Sequence, residues 1–490
     1  MSSSDVSRAL AQPVRYRVLA RYLASIGLVV AVLRLPPILL SWACGDWHFM
    51  AGQVLVSAGL LLICLPVTRI WVPEGIRDNE VMVITSLSFA LTALLEALPF
   101  VGGGLAGIDA LFETVSGVTT TGLSTLTGLQ HYSAALLFSR AWMQWYGGLG
   151  VVAFSIALLF LDRGMATRRL AMGDISDSRD ILGNARGHAL KLLYIYATLT
   201  VVSIAALWLA GLGPLSAVTH ALSGISTGGF SIYDNSLAAI DNPWLQVLVS
   251  AIGLLGAVAL PLYYHVFKRG IRELAADSEA LALPVVSFCV VGVLFLCINA
   301  DVGNVWSSLK QAVVMGISAQ TTTGFANADI VPMNAGAKLT LITSMTIGGS
   351  MGSTAGGIKI LRFLIVLRLI QLFIVRTALP AHAVLERRLC GGRLEADEIE
   401  RVLILIMIFM GTVLLSWFAF LVMGYDPLDA LLEVVSACST TGLSSGITRT
   451  ALEPALKAVL IIDMLLGRVE FLAMLVFLYP RTWIKIGSKT

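Results

Sequence analysis

Long apolar runs constrain this chain most, because about 20 consecutive apolar residues are enough to cross a lipid bilayer as a helix. We predict about ten such spans, at residues 19–40, 50–68, 81–101, 133–161, 188–211, 243–266, 280–299, 337–373, 402–423 and 456–479. Of the 490 residues, 57% are hydrophobic and 13% are charged, unlike a soluble domain. Backbone groups must be hydrogen-bonded inside lipid, so the sequence predicts an all-α polytopic membrane protein.

The composition also excludes several classes of protein. A net charge of +3 is too small to suggest a nucleic-acid partner, and the six cysteines form no close pair that would indicate a disulfide framework or a zinc site. The basic and then apolar segment 15–40 resembles a signal peptide but has no convincing cleavage site, so we predict a retained first helix. HExxH does not occur, catalytic residues do not cluster, and we predict that the chain is not an enzyme.

Lysine and arginine are distributed unevenly among the loops. Segments 162–187, 267–273 and 376–401 contain five, three and five of these residues, whereas 101–131 and 213–241 contain none and 301–335 and 425–453 contain one each. Because basic loops stay in the cytoplasm, we predict that both termini are cytoplasmic and that the arginine-poor loops face outward.

Each arginine-poor loop contains one copy of an internal repeat. Segments 109–125 and 429–445 are identical at eleven of seventeen positions, and 216–231 and 311–326 fit the same template. One Gly/Ser/Thr cluster could merely reflect close helix packing. Four clusters on one side, each after a short amphipathic segment, favour four parallel units of helix, half-helix, loop and helix around a central pore.

The residues at these loops suit a dehydrated cation. Glycine allows the backbone to turn its carbonyl groups toward an axis, and rings of carbonyls can replace the hydration shell of K⁺. The second repeat reads STGG in place of TTTG, which departs from strict fourfold symmetry. The predicted K⁺ selectivity filter consists of Thr120, Thr121, Gly122, Thr227, Gly228, Gly229, Thr322, Thr323, Gly324, Thr440, Thr441 and Gly442.

Acidic residues recur in the half-helices. Asp109, Asp429 and Ser216 stand at equivalent starts and are predicted to be N-caps. Glu113 and Glu433 follow one turn later, where they would stabilise the helix N-terminus or, alternatively, concentrate cations at the pore mouth. No role is predicted for His220, which occupies the position of these glutamates in the second repeat.

Together with the repeated filter motif, QWxGGxG at 144–150 and GSTAGGIK at 352–359 resemble the Trk/Ktr/HKT potassium transporter superfamily. The additional N-terminal helices resemble its bacterial TrkH-type branch. The resemblance implies four M1–P–M2 units plus an N-terminal hairpin. The expected boundaries are 1–75 for the hairpin and 76–165, 185–272, 278–376 and 398–490 for the repeats.

The resemblance also implies a function and partners. We expect potassium uptake across the bacterial inner membrane by a homodimer, with a cytosolic TrkA/KtrA-type nucleotide-binding subunit as regulator. K⁺ is the expected transported ion, and no organic cofactor is expected. In the family, glycine at all four filter positions accompanies potassium preference. The alternatives are a sodium or weakly selective cation channel and an H⁺- or Na⁺-coupled symporter on the same scaffold.

A glycine-rich run interrupts the span 337–373 and is predicted to form a gate rather than a simple kink. Arg468, in the middle of the last span, is predicted to be a positive barrier coupled to this gate; the alternative is structural pairing with another helix. On a continuous last helix, Asp463 and Glu470 would lie opposite this arginine. Lys359 could be a latch or could snorkel to the interface. The predicted gate residues are Gly348, Gly349, Gly352, Gly356, Gly357 and Arg468.

Overall fold

The computed structural model describes residues 13–73, 75–161, 181–378, 380, 388–389 and 392–484, with the backbone alone at 154–161, 181–186, 188, 388 and 392–393. The prediction that both termini are cytoplasmic falls on 1–12 and 485–490, which lie outside the described residues. Most of the arginine-rich segment 162–187 also lies outside them.

The described part of the chain contains nineteen α-helices. The first ten are α1 Tyr16–Leu33, α2 Leu35–Cys44, α3 Trp47–Val67, α4 Asp78–Gly102, α5 Gly107–Val118, α6 Ala134–Leu161, α7 Ile181–Leu209, α8 Pro214–Ile225, α9 Pro243–Ala257 and α10 Leu260–Arg269. The others are α11 Arg272–Ala276, α12 Ser278–Val302, α13 Val305–Gln320, α14 Ala335–Ile347, α15 Ile360–Thr377, α16 Ala396–Val422, α17 Pro427–Cys438, α18 Pro454–Arg468 and α19 Leu472–Leu478.

Short 3₁₀ turns at Leu129–His131, Ser236–Ala239 and Pro480–Thr482 connect some of these helices. The two strands, β1 Arg388–Leu389 and β2 Gly392–Arg393, form one antiparallel pair of two residues each. The predicted all-α membrane fold is confirmed. Six of the described helical segments are long and apolar enough to cross a membrane, or seven if the bent pair α9–α10 is one span.

Four predicted spans are each divided between two helices: 19–40, 337–373 (where an interruption was expected), 243–266 and 456–479. The span 243–266 bends by 87° between α9 and α10, where Pro261 opens the second helix. The span 456–479 breaks after Arg468, because Glu470 and Phe471 have φ angles of 55° and 52°, outside the α-helical region. These breaks leave helix ends inside the protein.

Two kinds of helix make up the fold. Long helices expose apolar faces, as at Leu62 (78% exposed), Phe288 (79%) and Leu415 (77%), which suits contact with lipid. The short helices α5, α8, α13 and α17 lie inside the protein, and Phe112 of α5 is fully buried. A long helix, a short helix and a further helix follow one another four times, as α4–α5–α6, α7–α8–α9, α12–α13–α14 and α16–α17–α18. We call these repeats 1 to 4.

The N-terminal helices attach to repeat 1 through a buried polar group. Arg34 stands between α1 and α2, is 1% exposed and pairs with Glu96 of α4 at 3.2 Å. The hydroxyl of Tyr146 on α6 donates to the same carboxylate at 3.1 Å. A charge in this apolar setting is tolerated only when paired, so the contact specifies where the N-terminal helices dock.

Candidate ion pathway

Each short helix is followed by a threonine with a left-handed backbone. The φ angles are 53° at Thr120 and 51° at Thr227, Thr322 and Thr440. This conformation is rare for a β-branched residue and costs about 1–3 kcal/mol. Its recurrence at four equivalent positions shows that the surrounding structure imposes it in every repeat. The conformational preference of threonine does not predict this left-handed backbone. The sequence does show a threonine two residues before each aligned glycine.

The four aligned glycines close a ring. Each has a positive φ between 77° and 95° and lies against a carbonyl oxygen of the next repeat, so that repeat 4 returns to repeat 1. A Cβ atom added at these glycines would lie 1.9–2.2 Å from that oxygen, the pairs being Gly122 with Gly228, Gly229 with Thr323, Gly324 with Thr441 and Gly442 with Thr121. No larger residue fits without moving the neighbouring backbone. The twelve residues of the predicted filter therefore lie together.

Hydroxyl groups support three of the four segments. The side chains of Thr119 and Thr121 are 2.8 Å apart. The equivalent pairs, Thr321 with Thr323 and Ser439 with Thr441, are both 2.7 Å apart. Glycine occupies the corresponding position 228, so the second segment has no such pair.

Buried glutamates tie the outgoing chain to the short helices. Glu113 accepts hydrogen bonds from the Ser124 hydroxyl at 2.5 Å and the Thr125 N–H at 2.9 Å. Glu433 accepts from the equivalent Ser444 hydroxyl at 2.8 Å. Both glutamates are 0% exposed. Each glutamate is the seventh residue of its helix, so the predicted stabilisation of a helix N-terminus was wrong, whereas the concentration of cations at the pore mouth stays a prediction.

His220 has a similar role in repeat 2. Its Nε2 atom lies 3.0 Å from the hydroxyl of Ser231, eleven residues later, the same separation as between Glu113 and Ser124. Repeat 3 has Met315 at this position, which cannot make such a bond. Alignment of the glycines identifies these equivalent positions, but only the structure shows that their side chains reach the outgoing chain.

Ion pairs join neighbouring repeats. Lys457 of α18 lies 2.6 Å from Asp109 of α5, and Lys338 of α14 lies 2.6 Å from Asp429 of α17. The N-cap prediction was wrong for both aspartates and for Ser216, since each is the third residue of its helix. A residue three positions along the helix lies inside the first turn, where its carboxylate can reach the next repeat.

The glycine-rich run between α14 and α15 is an extended loop, residues 348–359, and the alternative of a simple kink was wrong. Thr354 binds repeat 2, its hydroxyl lying 2.9 Å from the Gly256 carbonyl and 3.1 Å from that of Ile225. The five predicted gate glycines contact Gln320 (Gly348), Ile360 (Gly349), Leu260 (Gly352), Thr322 (Gly356) and Ser439 (Gly357). The loop thus lies against the short-helix side of the ring.

Arg468 contacts the loop from α18. Its Nη1 donates to the Thr354 carbonyl at 2.8 Å and its Nη2 to the Gly147 carbonyl at 3.4 Å, with 2% of the residue exposed. Because the last span is interrupted after Arg468, Asp463 and Glu470 do not share one helical face as predicted. Asp463 accepts a hydrogen bond from the Ser416 hydroxyl, and Glu470 forms an ion pair with Arg362 at 2.6 Å. The arginine is therefore positioned to bind the loop.

The base of the loop is held on two sides. Glu279 of α12 accepts from the backbone N–H groups of Met351 at 3.1 Å and Leu361 at 3.0 Å. Lys359 is 3% exposed, and its ammonium group donates to the Ala355 carbonyl. Its predicted snorkelling was wrong, because the charge remains inside the protein. Glu279 was not predicted from the sequence, because it belongs to no recognised motif.

The oxygen-rich ring suits a hard monovalent cation. Within the described residues, no three His, Cys, Asp or Glu side chains gather as a metal site. These groups can bind, orient and dehydrate an ion, and they form no catalytic constellation.

Comparisons with known proteins agree with this architecture. A family model described as TrkH, a cation transport protein, matches residues 74–483. The Escherichia coli K12 Trk system potassium uptake protein TrkH is 30% identical over 422 residues, 83% of this chain and 86% of that protein. The Halomonas elongata potassium uptake protein TrkI is 31% identical over 482 residues, 96% and 97% of the two chains.

A solved structure shares the fold. The crystal structure of the potassium transporter TrkH from Vibrio parahaemolyticus has a TM-score of 0.85, with 24% sequence identity over 96% of this chain and all of that one. The long apolar helices and these relatives make the protein a multi-pass membrane transporter, as predicted, and not an enzyme. The chain therefore belongs to the TrkH family of cation transport proteins.

Proposed function

We propose that this protein takes up potassium across the bacterial cytoplasmic membrane through residues 120–122, 227–229, 322–324 and 440–442. The observation that carries the proposal is the closed ring, in which each aligned glycine lies against a carbonyl oxygen of the next repeat. Rings of carbonyl oxygens can replace the water around K⁺. The names of the potassium uptake relatives support the same ion.

The proposed gate is the loop 348–359 with Arg468. The loop bonds to Thr227 and Thr322 within the predicted filter, and Arg468 adds a positive charge beside it. A cation leaving the ring on this side would meet both obstacles. Opening requires the loop to exchange these bonds for others, so the gate is a two-state element.

We further propose that a cytosolic nucleotide-binding subunit of the TrkA/KtrA type shifts this equilibrium, and that two copies of the chain assemble as a homodimer. Basic loops at 267–273 and 376–401 support a cytoplasmic location for these segments. Both termini would then also be cytoplasmic. The names of the relatives, which describe them as proteins of a Trk system, support a regulatory partner.

Growth at low potassium tests the proposed function. Wild-type protein should rescue a bacterial strain that lacks potassium uptake systems, and Gly122→Ser should weaken rescue and lower the K⁺/Na⁺ flux ratio. Gly104→Ser is the matched control, because Gly104 also has a positive φ (96°) but has open space around it. Equal rescue and an unchanged flux ratio in Gly122→Ser would contradict the filter assignment. Equal K⁺ and Na⁺ flux in the wild type would favour a weakly selective channel.

A further inference from the structure

The second filter segment differs chemically from the other three. It has Gly228 where they have threonine, and therefore two consecutive glycines, Gly228 and Gly229. Glycine has the greatest backbone freedom, so this segment has the most conformational entropy to lose on ordering. It also lacks the hydroxyl pair that supports the others. Something else has to hold this quarter of the ring.

Gln144 of α6 occupies the space of the missing side chain. Its Nε2 donates to the Gly228 carbonyl at 2.6 Å, and its Oε1 accepts from the Phe230 N–H at 3.1 Å. The amide thus binds the backbone on both sides of Gly229. A Cβ atom added at Gly228 would lie 2.4 Å from the Gln144 Cδ, so a side chain at position 228 forces the Gln144 amide to move.

The Gly228 carbonyl is equivalent to those of Thr121, Thr323 and Thr441, which lie against the ring glycines. Within the described residues, no hydrogen bond reaches those three oxygens, whereas the Gly228 oxygen accepts from Gln144. A carbonyl oxygen has a second lone pair, so the bond leaves it able to contact an ion. The amide instead restricts the rotation of the peptide group.

We propose that Gln144 is a positioning residue for ion selectivity: its side-chain amide replaces the threonine hydroxyl that the second repeat lacks and orients the Gly228 carbonyl. This inference rests on the proposed function of the ring as a potassium filter. It also assigns a role to the first residue of the QWxGGxG motif. Gln144 is fully buried, so its two bonds face little competition from solvent.

The structure allows a reciprocal substitution test. Gln144→Ala removes the amide, and Gly228→Thr alone clashes with it. In the double variant, Gln144→Ala with Gly228→Thr, the new side chain has room, and its hydroxyl can pair with Ser226 as Thr121 pairs with Thr119. Purified proteins in liposomes are assayed for K⁺ and Na⁺ flux, with size-exclusion profiles and melting temperatures to verify folding.

We expect each single variant to lower the K⁺/Na⁺ flux ratio about tenfold, the effect of about 1.4 kcal/mol. The double variant should recover most of the wild-type ratio. Gln320→Ala is the matched control, since Gln320 is equally buried but binds Gly348 in the loop at 2.7 Å. It should change the amount of flux and leave the ratio unaltered.

Three results would overturn the inference: wild-type selectivity in folded Gln144→Ala, no recovery in the double variant, or failure of the double variant to fold. If Gln144→Ala does not fold, recovery of both folding and selectivity in the double variant supports the inference. Failure of the proposed function is separate, because wild-type protein would then show no potassium preference. The reciprocal effect would in that case still be measurable in total cation flux.

Discussion

Replacing Arg468 tests the proposed gate most directly. Its Nη1 donates to the Thr354 carbonyl at 2.8 Å inside the protein. A hydrogen bond from a charged group contributes about 1.5–3 kcal/mol. Loss of this bond in Arg468→Ala should shift the closed–open equilibrium of the loop by about 10- to 100-fold, since 1.4 kcal/mol is a factor of ten. Resting flux should rise by up to this factor.

Two further variants separate charge from hydrogen bonding. Arg468→Lys keeps the positive charge without the planar guanidinium group, and Arg468→Gln keeps N–H donors without the charge. If the charge itself slows cations, Arg468→Gln should conduct more than Arg468→Lys. If the bond to Thr354 dominates, both should fall between the wild type and Arg468→Ala.

Rubidium uptake into liposomes, without any regulatory partner, measures resting flux. Equal amounts of folded protein are compared, as judged by size-exclusion chromatography. Unchanged uptake by folded Arg468→Ala would refute the coupling of this arginine to the loop. Complete loss of folded protein would instead favour the alternative that Arg468 is a structural pairing partner.

Two other predictions concern the loop and the joints between repeats. Thr354→Val removes hydrogen bonds to repeat 2 at nearly constant volume, so resting rubidium uptake should rise about five- to thirtyfold, for about 1–2 kcal/mol; unchanged uptake would contradict a closed state held by these bonds. Lys457→Met leaves Asp109 buried without its partner and should cost about 3–5 kcal/mol of stability. Lys338→Met should cost less in the same thermal unfolding assay, because its partner is 20% exposed; equal or reversed losses would refute the role of burial.

Local sequence patterns predicted the helical membrane fold and the positions of the four glycine loops. Apolar runs have to form helices in lipid, and recurrence aligns Gly122 with Gly442 without any structure. The same patterns gave wrong predictions where an apolar span was assumed to be one continuous helix. Nothing local to the last span marks Glu470 and Phe471 as the break, because neither residue favours a positive φ.

The sequence by itself determined which segments are apolar, which are repeated and where the backbone needs glycine, since these properties depend on neighbouring residues. The tertiary structure alone decided the partners of the buried polar groups. Lys457 and Asp109 are 348 residues apart, and Gln144 and Gly228 are 84 apart. A buried polar group binds whichever complementary atom the fold brings within about 3 Å, and sequence distance carries no information about that approach.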